Sequence, residues 1–517
     1  MDIALYTLKT VAYALTEPVL VVLLLMIVFI LYRQNKKTTV MQRMIMGESI
    51  DSAFELTISQ VVIGIFAGAI GSIMISYLGI IFDEKSSVDL IFLLSIVLMY
   101  WSPRFICFSY SAAILGFLSL ILAEISRIYN GTIINIVGTS YNLGYLDFLK
   151  IDVVAVMCLV AVLHFIEGIL VIIDGKRGAI PVFTNRDNKI IGGFAMNRYW
   201  SIPIALLIMT QNKSLDYIGQ VASTPNWWPL ISTSIPLAII KVATITLIPI
   251  YGILGYNSIT FTKTKREKVN ISGSLIICYS ILLFIMAELA TKGLFFKILL
   301  LIFAPLAHEI MLRGQRYLEL KGKPKYISDS DGLMILDVVP KSLAFIMGLK
   351  TGDIVIEING KTILKDDDIL ESLRGSSIYL SVKIKRGIDE IKELSSNVYN
   401  SRERLGILFI PKKIPDNSMV VKYEGTRFHQ VLSKIKGRYS ESLGDKKPPT
   451  KNKENSQDAT EKKKESNDNI EDKEESTDFK EKKKETIDTK ESKEKGKDYI
   501  KKKEESTEVE DRKQDNK

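Results

Sequence analysis

The sequence predicts a membrane α-helical bundle of about eight to ten transmembrane helices, followed by a small α+β domain and a disordered C-terminal tail. Three observations carry this prediction. Apolar runs of membrane-crossing length recur between short polar connectors as far as Leu312, strand and turn signals follow from Tyr326, and large apolar residues almost vanish from Lys446 to Lys517. A helix needs about 17 to 25 predominantly apolar residues to cross a hydrocarbon core, whereas a soluble helix alternates apolar and polar faces. The hydrophobic share of 47% is therefore not one soluble core spread along 517 residues. For the first part of the chain, the bilayer is the solvent.

The apolar runs define about nine candidate spans: Pro18 to Tyr32, Ile58 to Phe82, Leu90 to Trp101, Phe105 to Leu122, Val153 to Ile173, Trp200 to Met209, Trp228 to Tyr251, Ile271 to Leu289 and Leu294 to Leu312. The Leu90 and Trp200 runs are short, which leaves tilted or re-entrant segments open. Arg33, Lys36 and Lys37 follow the first run with no small-residue cleavage site, so it is expected to stay as an anchor. With the amino terminus outside, the inside connectors collect Arg33, Lys36, Lys37 and Arg43, then Arg104, then Lys176, Arg177, Arg186, Lys189 and Arg198, then Lys263, Lys265, Arg266 and Lys268. Cytoplasmic connectors carry such an excess, which places everything after Leu312 in the cytoplasm. The expected division is a membrane domain at 1–312, a soluble domain at 326–412 and a Lys/Glu-rich tail at 440–517, too polar to offset its own ordering entropy.

The formal charge of +9 is accounted for by these connectors and does not call for nucleic acid. Cys107, Cys158 and Cys278 lie inside apolar runs without disulfide or zinc spacing, and read as lipid-side or helix-packing residues. Gly64 and Gly68 form a GxxxG pair suited to close packing of two helix backbones inside the chain. Pro229, Pro236 and Pro249 interrupt the Trp228 run, where a break at membrane depth either lines a transport site or, more commonly, kinks a packed helix. Lys241, Glu288 and Lys297 lie within or near apolar runs, where charge hints at function but also pairs inside a bundle or reaches an interface.

From Asp331 to Ile363 the sequence is DGLMILDVVPKSLAFIMGLKTGDIVIEINGKTI. A strand over Gly332 to Val339 ends at Pro340, and a short helix over Lys341 to Met347 closes at Gly348. A turn at Lys350 to Asp353 leads to a strand at Ile354 to Ile358 and a turn at Asn359 and Gly360. Asp366 to Asp368 then start a helix that places Ile369 and Leu373 on one face. This stretch resembles a PDZ domain, whose pattern GLKxGDxVxxINGxxI stands at Gly348 through Ile363. The resemblance implies a groove in which an extended peptide adds as a strand, with loop amides holding its terminal carboxylate. For the circularly permuted bacterial form it points to Leu405, Gly406, Ile407 and Leu408 as the carboxylate loop and its strand, with Ile369, Ser372 and Leu373 opposite; a plain closing strand at Leu405 to Ile410 is the alternative.

PDZ domains also accompany site-2 metalloproteases. A zinc-binding helix needs two histidines one turn apart with a glutamate base, and His308 with Glu309 is followed at the fourth position by Leu312. His164 and Glu167 could supplement it from another span, and Asp174 with Gly175 faintly resembles the second motif of those proteases. The sequence therefore names no catalytic residue, no metal ligand set and no cofactor. A degenerate protease and a PDZ-regulated transporter or sensor stand as the alternatives to a scaffold.

The spans, the loop GKRGAIPVFTNRDNKIIGG from Gly175 to Gly193, the APLAHEIML segment and the following PDZ domain together resemble MinJ-like membrane proteins of Gram-positive bacteria. Over 1–411 that resemblance implies a non-enzymatic membrane adaptor in placement of the division site. It implies enrichment at septa or poles and DivIVA-like and MinD-like protein partners, while self-association stays open.

Overall fold

The computed structural model describes residues 2–412 apart from 85, 102–104, 106, 130–132, 137–138, 143–148, 150, 211–226, 232–239, 241–243, 329, 375–378, 388–389 and 398–404. The expected tail at 440–517 lies outside the described residues, as does Lys241.

In chain order the membrane region contains α1 (Asp2–Ala14), α2 (Pro18–Met46), α3 (Ala53–Leu78), β1 (Ile81–Asp83), α4 (Asp89–Trp101), α5 (Phe108–Ile128), β2 (Ile133–Ile136), β3 (Thr139–Asn142) and α6 (Val153–Asp174). Strands β4 (Ile180–Arg186), β5 (Lys189–Thr210) and β6 (Thr244–Thr260) follow, then α7 (Lys265–Ala290) and α8 (Leu294–Lys321). Helix ends follow local chemistry. Ser52 with Glu55 and Thr264 with Glu267 form reciprocal capping boxes on α3 and α7, and Asp152 accepts the first amides of α6. Among the described residues six helices, α2, α3, α5, α6, α7 and α8, are long and apolar enough to cross a membrane. Val19, Val22, Phe66 and Phe295 point outward from them as a lipid-facing surface requires, and α6 is buried along most of its length. This is a multi-pass membrane protein.

Among the described residues the other runs take other forms, so six is the number of long helices and not of crossings. The Leu90 run is the 13-residue α4, short for a crossing helix, as the sequence leads one to expect. Trp200 to Met209 belongs to β5 rather than to a helix, and the end of the Trp228 run, from Thr244, belongs to β6, while 232–239 and 241–243 lie outside the described residues. A strand buried on both faces is a continuous apolar run, so periodicity does not distinguish it from a buried helix. Helix α1 has no counterpart among the sequence-derived spans.

Strands β5 and β6, of 22 and 17 residues, pair antiparallel from Phe194 with Thr260 to Thr210 with Thr244. The other edge of β5 pairs with β4 near Lys189 and in parallel with β1 near Leu207. Between these two lies an edge that lipid would not tolerate. Helix α3 covers it. Gly64 and Gly68 are the enabling residues, because a Cβ on either would run into the backbone oxygens of Ser201 or Pro203. Ser72 Oγ accepts the amide of Ala205 at 3.0 Å. The GxxxG pair thus packs inside the chain, as expected, but against a strand. The close approach of two helices falls instead at Gly168 of α6 and Gly273 of α7, where each would-be Cβ meets the other's carbonyl oxygen. Pro249 sits in β6 opposite Ala205 rather than kinking a helix. Since the Ala205 amide turns away from β6, this is a non-hydrogen-bonded pair, and the N–H that proline lacks falls on the outer edge of β6.

Among the described residues, Arg177, Arg198, Lys263 and Lys268 of the basic connectors lie at one end of the bundle. There Gln42 near the end of α2 donates to Ala179 O, and Arg198 of β5 reaches Asp174 of α6 and Ser59 of α3. Glu319 of α8 joins the same end by pairing with Lys268 of α7 at 3.3 Å and accepting from Thr260 and Thr262.

The soluble domain is built from β7 (Tyr326–Ile327), β8 (Leu333–Val338), α9 (Leu343–Ile346), β9 (Ile354–Ile358), β10 (Lys361–Thr362), α10 (Asp366–Arg374), β11 (Leu380–Arg386), β12 (Glu390–Ser396) and β13 (Ile407–Phe409). Its sheet runs β12-β11-β9-β8-β13, with β10 beside β9. The turn residues do what their types predict: Gly348, Asn359 and Gly360 all have positive φ. Asp353 is buried and takes Arg386 at 2.8 and 2.7 Å along with the Lys350 amide. The domain sits directly on the basic end of the bundle. Strand β7 pairs with β5, and Leu336 and Ile410 share a buried cluster with Ile190, Phe194 and Tyr326. Burial there pushes the Tyr326 phenol up to about 12. Lys265 at the start of α7 pairs with Asp337 at 3.0 Å and lies 4.6 Å over the Phe194 ring.

Candidate functional site

Strand β13 ends the sheet path, so among the described residues one of its edges is unpaired in the ladder. Such an edge is a template for an added strand. The loop entering it is pinned by its carbonyls: Leu405 O accepts from the Ala344 amide, and Gly406 O from the Val339 amide. In a planar trans peptide the following N–H points the opposite way. The amides of Gly406 and Ile407 therefore face away from β8 and α9, toward the open edge, the arrangement that suits a terminal carboxylate. Gly406 has φ +76°, and a Cβ there would collide with Ser342; only glycine holds this turn without strain.

Along β13 the side chains alternate. Ile407 and Phe409 pack on the domain core, whereas Leu408 joins the cluster that docks the domain on the bundle. Leu405, Ile369 and Leu373 are partly buried against the same core as Ile407. Ser372 is turned inward, 5% exposed, and its carbonyl accepts from Asn359. At the start of α10, the Asp366 carboxyl lies near the backbone of Lys412, just beyond β13, so α10 begins beside the far end of that strand. Asp368 accepts the amides of Lys365 and Leu364, which draws its carboxyl below the usual range. Leu370, which the sequence reading did not single out, is 62% exposed on α10. An apolar side chain on the helix face that the core does not claim was the available signal.

The histidines of the membrane region come together. His164 on α6 and His308 on α8 have ring centroids 5.5 Å apart. His164 Nδ1 lies 2.7 Å from Glu167, and His308 Nδ1 lies 3.1 Å from the Tyr110 hydroxyl, which donates to Glu309 at 3.2 Å. Arg313 also pairs with Glu309 at 2.8 Å. Cys107, expected in the lipid or in helix packing, stands at the first position before α5, and its Sγ lies 3.2 Å from His164 Nε2. Asp174 belongs elsewhere: it accepts from Arg198 and, at 2.9 Å, from Trp200 Nε1.

The PDZ domain family matches residues 334–384. The chain is 22% identical over 271 residues to the "Cell division topological determinant MinJ" of Bacillus subtilis, a match covering 49% of this chain and 62% of that protein. A second stretch is 34% identical over 74 residues to the "Serine protease HTRA1" of Xenopus tropicalis, covering 14% of this chain and 16% of that protein. The chain thus carries a PDZ domain, a module that binds proteins, and its layout of membrane-length helices followed by that domain fits a MinJ-like membrane protein. The match spans less than two thirds of the length of either relative.

Proposed function

We propose that this protein is a non-enzymatic membrane adaptor that holds partner proteins in its PDZ groove and acts in placement of the division site. The observation that carries the reading is the open edge of β13, with the Gly406 and Ile407 amides turned toward it, on a domain fixed to a membrane bundle. In this reading Leu405, Gly406, Ile407 and Leu408 form the carboxylate loop and strand. Helix α10 supplies the opposite wall, with Ile369 and Leu373 at its base, Ser372 beneath and Leu370 at the rim. Membrane tethering raises the local concentration of a weakly bound partner without any chemistry.

The basic connectors support a cytoplasmic location for the docked end, since positive residues are retained on that side. The domains are then 1–312 in the membrane, 326–412 as the PDZ unit and 440–517 as a polar tail. The similarity to MinJ supports enrichment at septa or poles and partners of the DivIVA and MinD kind. Gly406→Glu tests the groove in the full chain. The added side chain meets Ser342 and closes the loop, so crosslinked capture of partners should fall roughly tenfold or more. The membrane bundle should keep its thermal stability and the fluorescent fusion its membrane location. Unchanged capture would mean that the groove is idle. On deletion of the protein, misplaced septa are expected; normal septa together with uniform membrane fluorescence would refute the division role.

A further inference from the structure

We propose that Cys107, His164 and His308 form a zinc site inside the membrane bundle, a thiolate and two imidazoles that tie α5, α6 and α8 together. Their ligand atoms lie within 4.8 Å of one another, and Cys107 Sγ is 3.2 Å from His164 Nε2. In a tetrahedral zinc site with Zn–S near 2.3 Å and Zn–N near 2.0 Å, ligand atoms sit roughly 3.3 to 3.5 Å apart. Closing the set shortens the widest separation, up to 4.8 Å, by roughly 1.3 to 1.5 Å shared between two side chains, within the reach of side-chain rotation.

The surrounding groups match what metal-bound histidines need. A ligating histidine donates its other ring N–H to a carboxylate, hydroxyl or carbonyl, which fixes its tautomer. His164 Nδ1 faces the Glu167 carboxylate at 2.7 Å, leaving Nε2 to the cluster. His308 Nδ1 faces Tyr110, whose own hydroxyl donates to Glu309, leaving the His308 Nε2 lone pair unclaimed by that chain of bonds. Ser109 Oγ, 2.9 Å from His164 Nε2 and 2.8 Å from the Tyr279 hydroxyl, stands beside the fourth position. Both histidines are buried, and polar residues concentrated at membrane depth mark function more often than packing. Binding releases the Cys107 proton to solvent, and the thiolate with the neighbouring Glu167 and Glu309 offsets the charge of the ion. Mixed nitrogen and sulfur ligation selects zinc over magnesium or calcium. Helix α8 leads directly into the PDZ domain, so the ion would brace the helix that carries the groove.

The test uses full-length protein carrying no histidine tag, purified in detergent, exposed to zinc and dialysed. One zinc per chain should remain in the wild type, and His164→Ala and His308→Ala should lose it while Cys278→Ser and His429→Ala keep it. Cobalt in place of zinc reads the wild-type chain without relying on any variant's folding. It should give a sulfur-to-cobalt charge-transfer band and the intense visible bands of tetrahedral cobalt, and Cys107→Ser should remove the charge-transfer band. Absence of both zinc and the cobalt bands in the wild type would leave only a hydrogen-bonded polar cluster. Zinc retained equally by all variants would be adventitious. Either result overturns the proposal.

Discussion

Asp174→Ala is expected to destabilise the membrane domain by about 3–5 kcal/mol, the cost of leaving a buried charge without its partner. Arg198 is 1% exposed and Asp174 is 4% exposed, so neither can turn to solvent. The carboxylate of Asp174 serves Arg198 and the Trp200 indole at 2.9 Å each, and Arg198 continues to Ser59 at 2.8 Å. Removing Asp174 therefore strands a guanidinium and an indole N–H where β5, α3 and α6 converge. Arg198→Ala should cost a similar amount by stranding the carboxylate. The double change Asp174→Leu with Arg198→Met removes both charges, and should recover part of the loss but not all, since Trp200 still lacks its acceptor. Thermal unfolding in detergent, followed by size-exclusion recovery, measures all three; additive losses in the double variant would show that the two residues do not act as a pair.

Gly68→Leu is the second large effect. A Cβ at Gly68 already meets Pro203 backbone and ring atoms, and one at Gly64 meets the Ser201 carbonyl. Flexible side chains move aside cheaply, but here the obstacle is the backbone of a strand held by β6 from Phe194 to Thr210. The expected cost is about 3 kcal/mol, at the upper end for overpacking, because pushing α3 outward also uncovers the unpaired edge of β5. Gly314→Leu on α8 is the matched control. A Cβ there meets nothing within 4 Å, so that change should be neutral or slightly stabilising by reducing unfolded-state freedom. Equal melting temperatures for Gly68→Leu and the wild type would remove the α3–β5 contact from the account.

Much of this architecture is legible in the residues. The bilayer imposes a minimum length on apolar runs, so the Pro18, Ile58, Phe105, Val153, Ile271 and Leu294 runs lead directly to the six long helices. The PDZ turns at Gly348 and at Asn359 and Gly360 carry residue types that their positive φ demands, and the strands and helices between them fall where the pattern places them. The β5–β6 hairpin is not legible, because SIPIALLIM is apolar on both faces and lacks the alternation that identifies a strand. Its prolines, Pro203 and Pro249, stand opposite Tyr251 and Ala205 and suggest helix breaks until the pairing is known. The Cys107, His164 and His308 cluster is partly legible: the sequence offers His164 as a supplement to His308 from another span, but Cys107 comes from a third helix and no local spacing announces it. Docking of the PDZ domain through Leu336, Ile410 and Phe194 is a long-range packing event with no sequence signature of its own.

The account stands on the PDZ groove being presented to the cell interior by a membrane-fixed bundle. Limited proteolysis of intact protoplasts, with an epitope placed after residue 412, tests this most directly. The account predicts that the epitope-bearing fragment survives protease outside intact cells and is lost once they are permeabilised. Cleavage within 326–412 in sealed cells would contradict it, since no cytoplasmic partner could then reach the edge of β13.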